Sequence, residues 1–269
     1  MKAHAQALLK WYEEMGVDEA VAEQPVNRLQ RPAPVRVHAE AQPKERTMAN
    51  VTSVSSQAPV SFSQAVAEAR ALADRAATRE ELEKSVRGFE GCALKKTAIN
   101  TVFCDGNPEA EIVVIGEAPG ANEDQQGIPF CGASGKLMDK IFASIGLSRE
   151  KNLYITNSLF WRPPGNRKPT PEELNICRPF VEKHIALKKP KLLVLVGSTA
   201  IASVLEISQG ITRLRGSLHQ YTNRYLEKEI PVMLTFHPSY LLRQPSQKQL
   251  VWQDMLKLKH FLAEHGVRV

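Results

Sequence analysis

The chain has few cysteines and no membrane span. Four cysteines (Cys92, Cys104, Cys131, Cys177) occur in 269 residues, and no two of them form a C-x-x-C pair. That spacing excludes a ready-made zinc or dithiol motif. So few thiols in a chain of this size are expected to be reduced, in a cytoplasmic protein. No run of about 18 apolar residues is present, which excludes a spanning helix. The first residues, "MKAHAQALLKWYEEMG", interleave charged and apolar side chains and lack the unbroken apolar stretch of a secretory signal. Strong charge of either sign is also lacking. A net charge of +6 and a pI near 9.1 permit a nucleic-acid partner without requiring one.

A phosphate loop is missing too, although one segment imitates it. In "VVIGEAPGANEDQQGIPFCGASGK" (113–136) a buried strand leads into glycines, and Lys136 follows Gly135. A Walker loop needs a glycine where Phe130 stands and a hydroxyl where Leu137 follows the lysine. A dinucleotide fingerprint needs a glycine where Ala118 stands. Both phosphate readings therefore fail, and the loop instead carries Glu117, Glu123 and Asp124. A carboxylate leaving a strand suits a ligand that donates hydrogen bonds or develops positive charge. The acidity of the loop is thus expected to face a ligand of that kind, with phosphates held elsewhere.

What is present is an alternation of apolar runs and helical patterns. Residues 1–22 place Ala7, Leu8, Trp11, Tyr12 and Met15 at helical spacing, and residues 23–60 read as a Pro/Gln/Ser-rich flexible linker. The segment from Ser61 supplies two helices, capped by Ser61 or Ser63 and by the T-x-x-E of "TREELEK". From Asn107 onward the runs 111–116, 152–157, 191–197 and 230–236 alternate with helices near 133–146, 171–188, 198–206 and 246–264. This pattern predicts an α/β domain over 61–269, a three-layer αβα sandwich around a four-stranded parallel sheet, with the N-terminal helix as an extension. Ligands in such sheets bind beyond the carboxyl ends of the strands, so the residues leaving each run should converge on one rim.

Those exits carry a resemblance. "GEAPGANEDQQGIPFCGASGKLM", "YITNSLFWRPPGNRKPTPEE", "PKLLVLVGSTA", "ITRLRG" and "TFHPSYLLR" occur in that order, and together they resemble the family 4 uracil-DNA glycosylases of the wider uracil-glycosylase superfamily. The resemblance spans about residues 85–265. It implies hydrolysis of the N-glycosidic bond of deoxyuridine in DNA, in base excision repair. It also implies a pocket in which Phe130 stacks on the flipped base and Asn157 reads its O4 and N3–H. His237 would hydrogen-bond O2 as charge builds, and Glu117 would stabilise the sugar or orient water. Ala118 stands where the best-known relatives place an aspartate for the water, so no strong base is available there. Arg162, Arg167, Lys168, Ser198, Arg215, Ser239 and Arg243 are candidate DNA contacts, and Leu241 or Leu242 a wedge into the base stack. The expected partner is uracil-containing DNA, bound by a monomer. The N-terminal helix is a candidate site for a protein partner.

Family 4 enzymes carry a [4Fe–4S] cluster on four cysteines, and here the match is half missing. Cys92 and Cys177 align with two ligands, but Phe89 and Trp161 stand where the other two belong, while Cys104 and Cys131 fall in other motifs. Two thiolates do not hold a cubane. The expectation is therefore no cofactor, with the aromatics filling the vacated volume; the alternative is a cluster retained on non-standard ligands. Two other functions stay open: a DNA-binding relative that has lost catalysis, and a glycosylase for other deaminated bases.

Overall fold

The computed structural model describes residues 61–207 and 209–267. The expected N-terminal helix and the linker lie outside them. The sheet has six strands in the order β1-β3-β2-β4-β6-β5: β1 (Asp105–Gly106), β2 (Ile112–Gly116), β3 (Leu153–Asn157), β4 (Leu192–Val196), β5 (Leu218–Tyr221) and β6 (Ile230–Thr235). The central β3, β2, β4 and β6 run parallel, matching the four apolar runs. The short edges β1 and β5 are antiparallel additions that periodicity did not reveal. β1 has only two residues, and β5 alternates weakly, with Tyr221 alone buried.

Each central strand is buried along almost its whole length because both faces are covered. Val113 and Ile115 of β2 point into one core while Ile112 and Val114 point into the other, and Leu193 and Leu195 alternate with Leu192 and Val194 on β4 in the same way. Burying each such side chain contributes about 1.5–3 kcal/mol, which makes a one-residue register slip prohibitive. The first face is covered by α1 (Phe62–Arg75), α2 (Arg79–Gly88), α5 (Pro171–Lys188) and α6 (Ser198–Leu205). The second is covered by α4 (Ala133–Ala143), α8 (Pro238–Arg243) and α9 (Lys248–Glu264). Short helices α3 (Ala121–Gln126) and α7 (Ile211–Leu214) sit in the connections.

Local chemistry sets the helix starts. Ser61 and Gln64 form a reciprocal capping box on α1. Thr78 caps α2 by accepting from Glu81 N, but the Glu81 carboxylate accepts from Ala77 N one residue upstream. At α5, Thr170 and Glu173 form a full box with Pro171 in the first turn. That cap ends the "RPPGNRKPT" loop firmly and fixes how the loop returns to the sheet.

Candidate active site

The parallel strands deliver their exit residues to one end of the sheet, where they line a cavity of about 690 Å³. Glu117 and Ala118 leave β2, Asn157 ends β3, Gly197 and Ser198 follow β4, and His237 follows β6. Phe130 enters from the connection between α3 and α4. Past their formal ends β2 and β3 remain zipped, because Ser158 N and Leu159 N donate to the carbonyls of Gly116 and Glu117. This pairing keeps Asn157 beside Glu117.

Asn157 is buried, and its Oδ1 has no hydrogen-bond partner among the described residues. An unsatisfied buried amide costs about 1–3 kcal/mol, so its presence points to a ligand that completes it. Gly116 makes the arrangement possible: a Cβ there would lie 2.4 Å from Phe130 Cζ and 2.5 Å from Asn157 Oδ1. The Phe130 ring lies 5.6 Å from that of His237, centroid to centroid. Phe130 itself adopts φ 54°, a left-handed conformation that costs a non-glycine residue about 1–3 kcal/mol and recurs at functional sites.

The tautomer of His237 follows from its partners. Ser239 N donates to Nδ1 at 3.1 Å, so Nδ1 accepts and the neutral ring carries its proton on Nε2. Burial, with the positive charge of Arg243 nearby, lowers the His237 pKa to about 4. Near neutral pH the ring is therefore an uncharged donor.

The acidic loop has a different explanation from the one expected. Glu123 accepts from Gly120 N at 3.1 Å and Gly132 N at 2.9 Å, bracing the two turns that flank the cavity. Asp124 is buried and accepts from Ile99 N and Asn100 N. Both belong to the short helix α3, and their charges are satisfied by backbone donors. Of the three acids, only the Glu117 carboxylate has no partner among the described residues.

The expected DNA contacts divide. Arg167, Lys168, Ser198, Ser239 and Arg243 line the cavity together with Phe130, Asn157 and His237. Arg167 is already paired with Glu173 at 2.6 Å, whereas the side chains of Lys168 and Arg243 have no acceptor among the described residues. Arg162 lies outside the lining and donates to Asn166 Oδ1. Arg215 is turned inward, its guanidinium on the buried Asp254 at 2.5 Å and on the Leu250 carbonyl. Leu241 is fully buried in the second core, and Leu242 is 46% exposed. Sequence reading also missed Gly132, Ser134 and Gly197 in the lining; glycine and serine near a strand exit carry no signal beyond a turn.

A three-layer α/β domain thus brings a buried unpaired amide, an aromatic ring and a neutral histidine to one cavity at its strand exits. The family model described as the uracil DNA glycosylase superfamily matches residues 103–256, and the chain belongs to that superfamily. It is 37% identical over 196 residues to the type-4 uracil-DNA glycosylase of Thermotoga maritima, covering 70% of this chain and 99% of that protein. The type-4 uracil-DNA glycosylase of Sulfurisphaera tokodaii is 36% identical over 185 residues, 67% of this chain and 83% of that one. The type-5 uracil-DNA glycosylase of Thermus thermophilus is 34% identical over 143 residues, 48% of this chain and 64% of that one.

The family resemblance implies an iron–sulfur cluster, and the residues at its four positions can be tested against that group. Phe89, Cys92, Trp161 and Cys177 are all buried, at most 1% exposed. The Phe89 ring stacks near Trp161 at 6.4 Å and meets Phe180 edge-on at 5.2 Å. Trp161 Nε1 donates to Thr101 Oγ1 at 3.0 Å, which satisfies the one polar atom of the indole. Cys92 and Cys177 are neighbours, contact with Cys177 lowering the Cys92 thiol while burial raises that of Cys177, so these positions offer at most two thiolates. These residues do not fit a four-thiolate cluster.

Proposed function

We propose that this chain is a uracil-DNA glycosylase of base excision repair, releasing uracil from DNA and leaving an abasic site. One observation carries the reading: the unpaired Oδ1 of buried Asn157 faces a cavity shared with Phe130 and the Nε2–H of His237. An amide offers one donor and one acceptor, matching O4 and N3–H of uracil and mismatching the reversed edge of cytosine.

The nucleotide leaves the helix at a cost of about a few kcal/mol, offset by contacts in the pocket. Phe130 then covers the base and Asn157 reads its edge. The C1′–N1 bond breaks with its electron pair going to N1, and the negative charge spreads to O2. The Nε2–H of His237 donates to O2, and the ring needs no proton from solvent to do so. Positive charge remains on the sugar, where Glu117 provides a carboxylate. Water adds its oxygen to C1′ and gives up a proton, which neutralises the departing uracil anion by way of solvent. A strongly electrophilic sugar accepts water without a strong base, which agrees with Ala118 beside Glu117. Lys168, Arg243, Ser198 and Ser239 hold the phosphates, and Leu242 fills the space the base leaves.

The same reading includes no iron–sulfur cluster. The packed rings of Phe89 and Trp161 take over its role of anchoring the "WRPP" loop, which supports catalysis without metal. The domain spans 61–269 and acts as a cytoplasmic monomer on uracil-containing DNA; the expected N-terminal helix, its protein partner and the linker concern residues outside those described. Among the described residues no helix is long and apolar enough to cross a membrane.

The test is cleavage of a uracil-containing oligonucleotide by the full chain and by His237→Ala and Asn157→Ala. Each substitution is expected to lower the single-turnover rate about 100- to 1000-fold. DNA binding with no abasic product, even at enzyme excess, would replace this reading with that of a binding protein.

A further inference from the structure

Phe130 holds a left-handed backbone conformation, φ 54°, that a phenylalanine does not keep unaided. What surrounds it is unusual. On one side α4 closes in so tightly that a Cβ at Gly135 would lie 1.6 Å from the Phe130 carbonyl oxygen. On the other side stands Arg149, from the turn before β3, its side chain only 17% exposed. Its guanidinium donates to Phe130 O at 2.9 Å and to Pro129 O at 3.4 Å. Further donors reach Asp139 of α4, Nε at 3.1 Å and Nη2 at 2.9 Å, and Asp105 of β1 at 2.5 Å. All five N–H donors of the fork thus have an acceptor on this turn or its two neighbours.

We propose that Arg149 is a positioning residue for Phe130: it fastens the strained turn to β1 and α4 and so aims the ring into the cavity. The inference rests on the reading of Phe130 as the base-stacking ring. Arg149 touches no reacting atom and lies outside the cavity lining, so its effect passes through the turn. The two flanking carboxylates are not redundant with it. They neutralise the cation and orient its plane, leaving the outer edge of the fork for the two carbonyls. Lysine cannot substitute, since a single ammonium has three donors and no planar fork.

Two measurements on the full chain test this. The first is independent of activity. Cys131 follows Phe130 directly and is only partly buried, so its alkylation by iodoacetamide, followed by peptide mass, reports how firmly the turn is held. Arg149→Met is expected to speed Cys131 alkylation about tenfold or more while the buried Cys92 and Cys177 stay as unreactive as in the wild type; equal rates at Cys131 would overturn the proposal whatever the enzyme does. The second is coupling. Arg149→Met is expected to lower kcat/KM on uracil-containing DNA about 10- to 100-fold, and Phe130→Leu by at least as much. The double variant should be no worse than Phe130→Leu within about twofold, because a residue acting through another loses its effect once the other is gone. Multiplying effects would sink the proposal. Should Arg149→Met fail to fold, Asp139→Asn loosens the same fork and takes its place in both arms. A wild-type chain without glycosylase activity would refute the functional reading alone, and the alkylation arm would still decide the role of Arg149.

Discussion

Arg215 separates two accounts that make opposite forecasts. By its motif, "ITRLRG", it is a phosphate contact; in the fold it is the partner of Asp254, which is fully buried. Asp254 also accepts from Thr235 Oγ1 at 2.8 Å, and Thr235 lies two residues before His237. The guanidinium sits 5.8 Å from the centre of the Phe236 ring, so the pair clamps the strand end that presents the histidine. Replacing Arg215 with methionine leaves a carboxylate in the core with its main counter-charge gone. Burial already raises the Asp254 pKa despite Thr235 and Arg215, so the variant carboxyl takes up a proton. Protonating a carboxylic acid of reference pKa about 3.9 at pH 7 costs about 4 kcal/mol, within the 3–5 kcal/mol typical of breaking a buried pair. The cost falls by about 1.4 kcal/mol per pH unit as the solution is acidified, because the proton becomes easier to supply. Urea unfolding of Arg215→Met at pH 7 and pH 5 measures both quantities. Arg215→Met with Asp254→Leu should recover most of the loss, since apolar replacements of buried pairs are often neutral. A variant as stable as wild type, with weaker DNA binding and a salt dependence reduced by about one charge, would show that Arg215 holds a phosphate and that the clamp is incidental.

Gly116→Ala places a methyl 2.4 Å from Phe130 Cζ, so the ring must move; a loss of about 100-fold in kcat/KM is expected, read beside the thermal midpoint to exclude unfolding. Trp161→Ala removes a fully buried indole from the aromatic cluster and should cost about 3–5 kcal/mol in urea unfolding, while wild-type protein purified without oxygen should contain less than about one iron per chain. His184 and His237 have folded pKa values lowered by burial to about 3 and about 4, below the unfolded value of 6.5. Over that interval the unfolded chain binds more protons, so stability is complete above about pH 6.5 and falls as pH drops toward 4, measured as the urea midpoint against pH. The activity limb set by His237 should lie near pH 4 and not near 6.5 in a single-turnover profile.

The parallel core was legible because strands buried on both faces are written as unbroken Val/Ile/Leu runs, and helix starts such as Ser61 and Thr78 announce themselves by their caps. The edges were not, since "DG" at 105–106 has no periodicity to read. The cavity residues Glu117, Asn157 and His237 were legible from their place directly after strands. Phe130 needed the family pattern, because a phenylalanine between glycines reads equally well as core. Misreadings came from polar residues whose partners are distant in sequence. Glu123 and Asp124 read as acids facing the ligand and Arg215 as a phosphate contact, and the fold sets Gly132, Asn100 and Asp254 against them. Arg149 gave no signal at all, being an arginine in a turn.

The central claim is that Asn157, Phe130 and His237 form one pocket for uracil. Its most direct measurement is the free base released from single-turnover reactions of matched oligonucleotides carrying uracil, cytosine or thymine, identified by mass. Release of uracil alone is the predicted result; no released base, or cytosine released as readily as uracil, would contradict it.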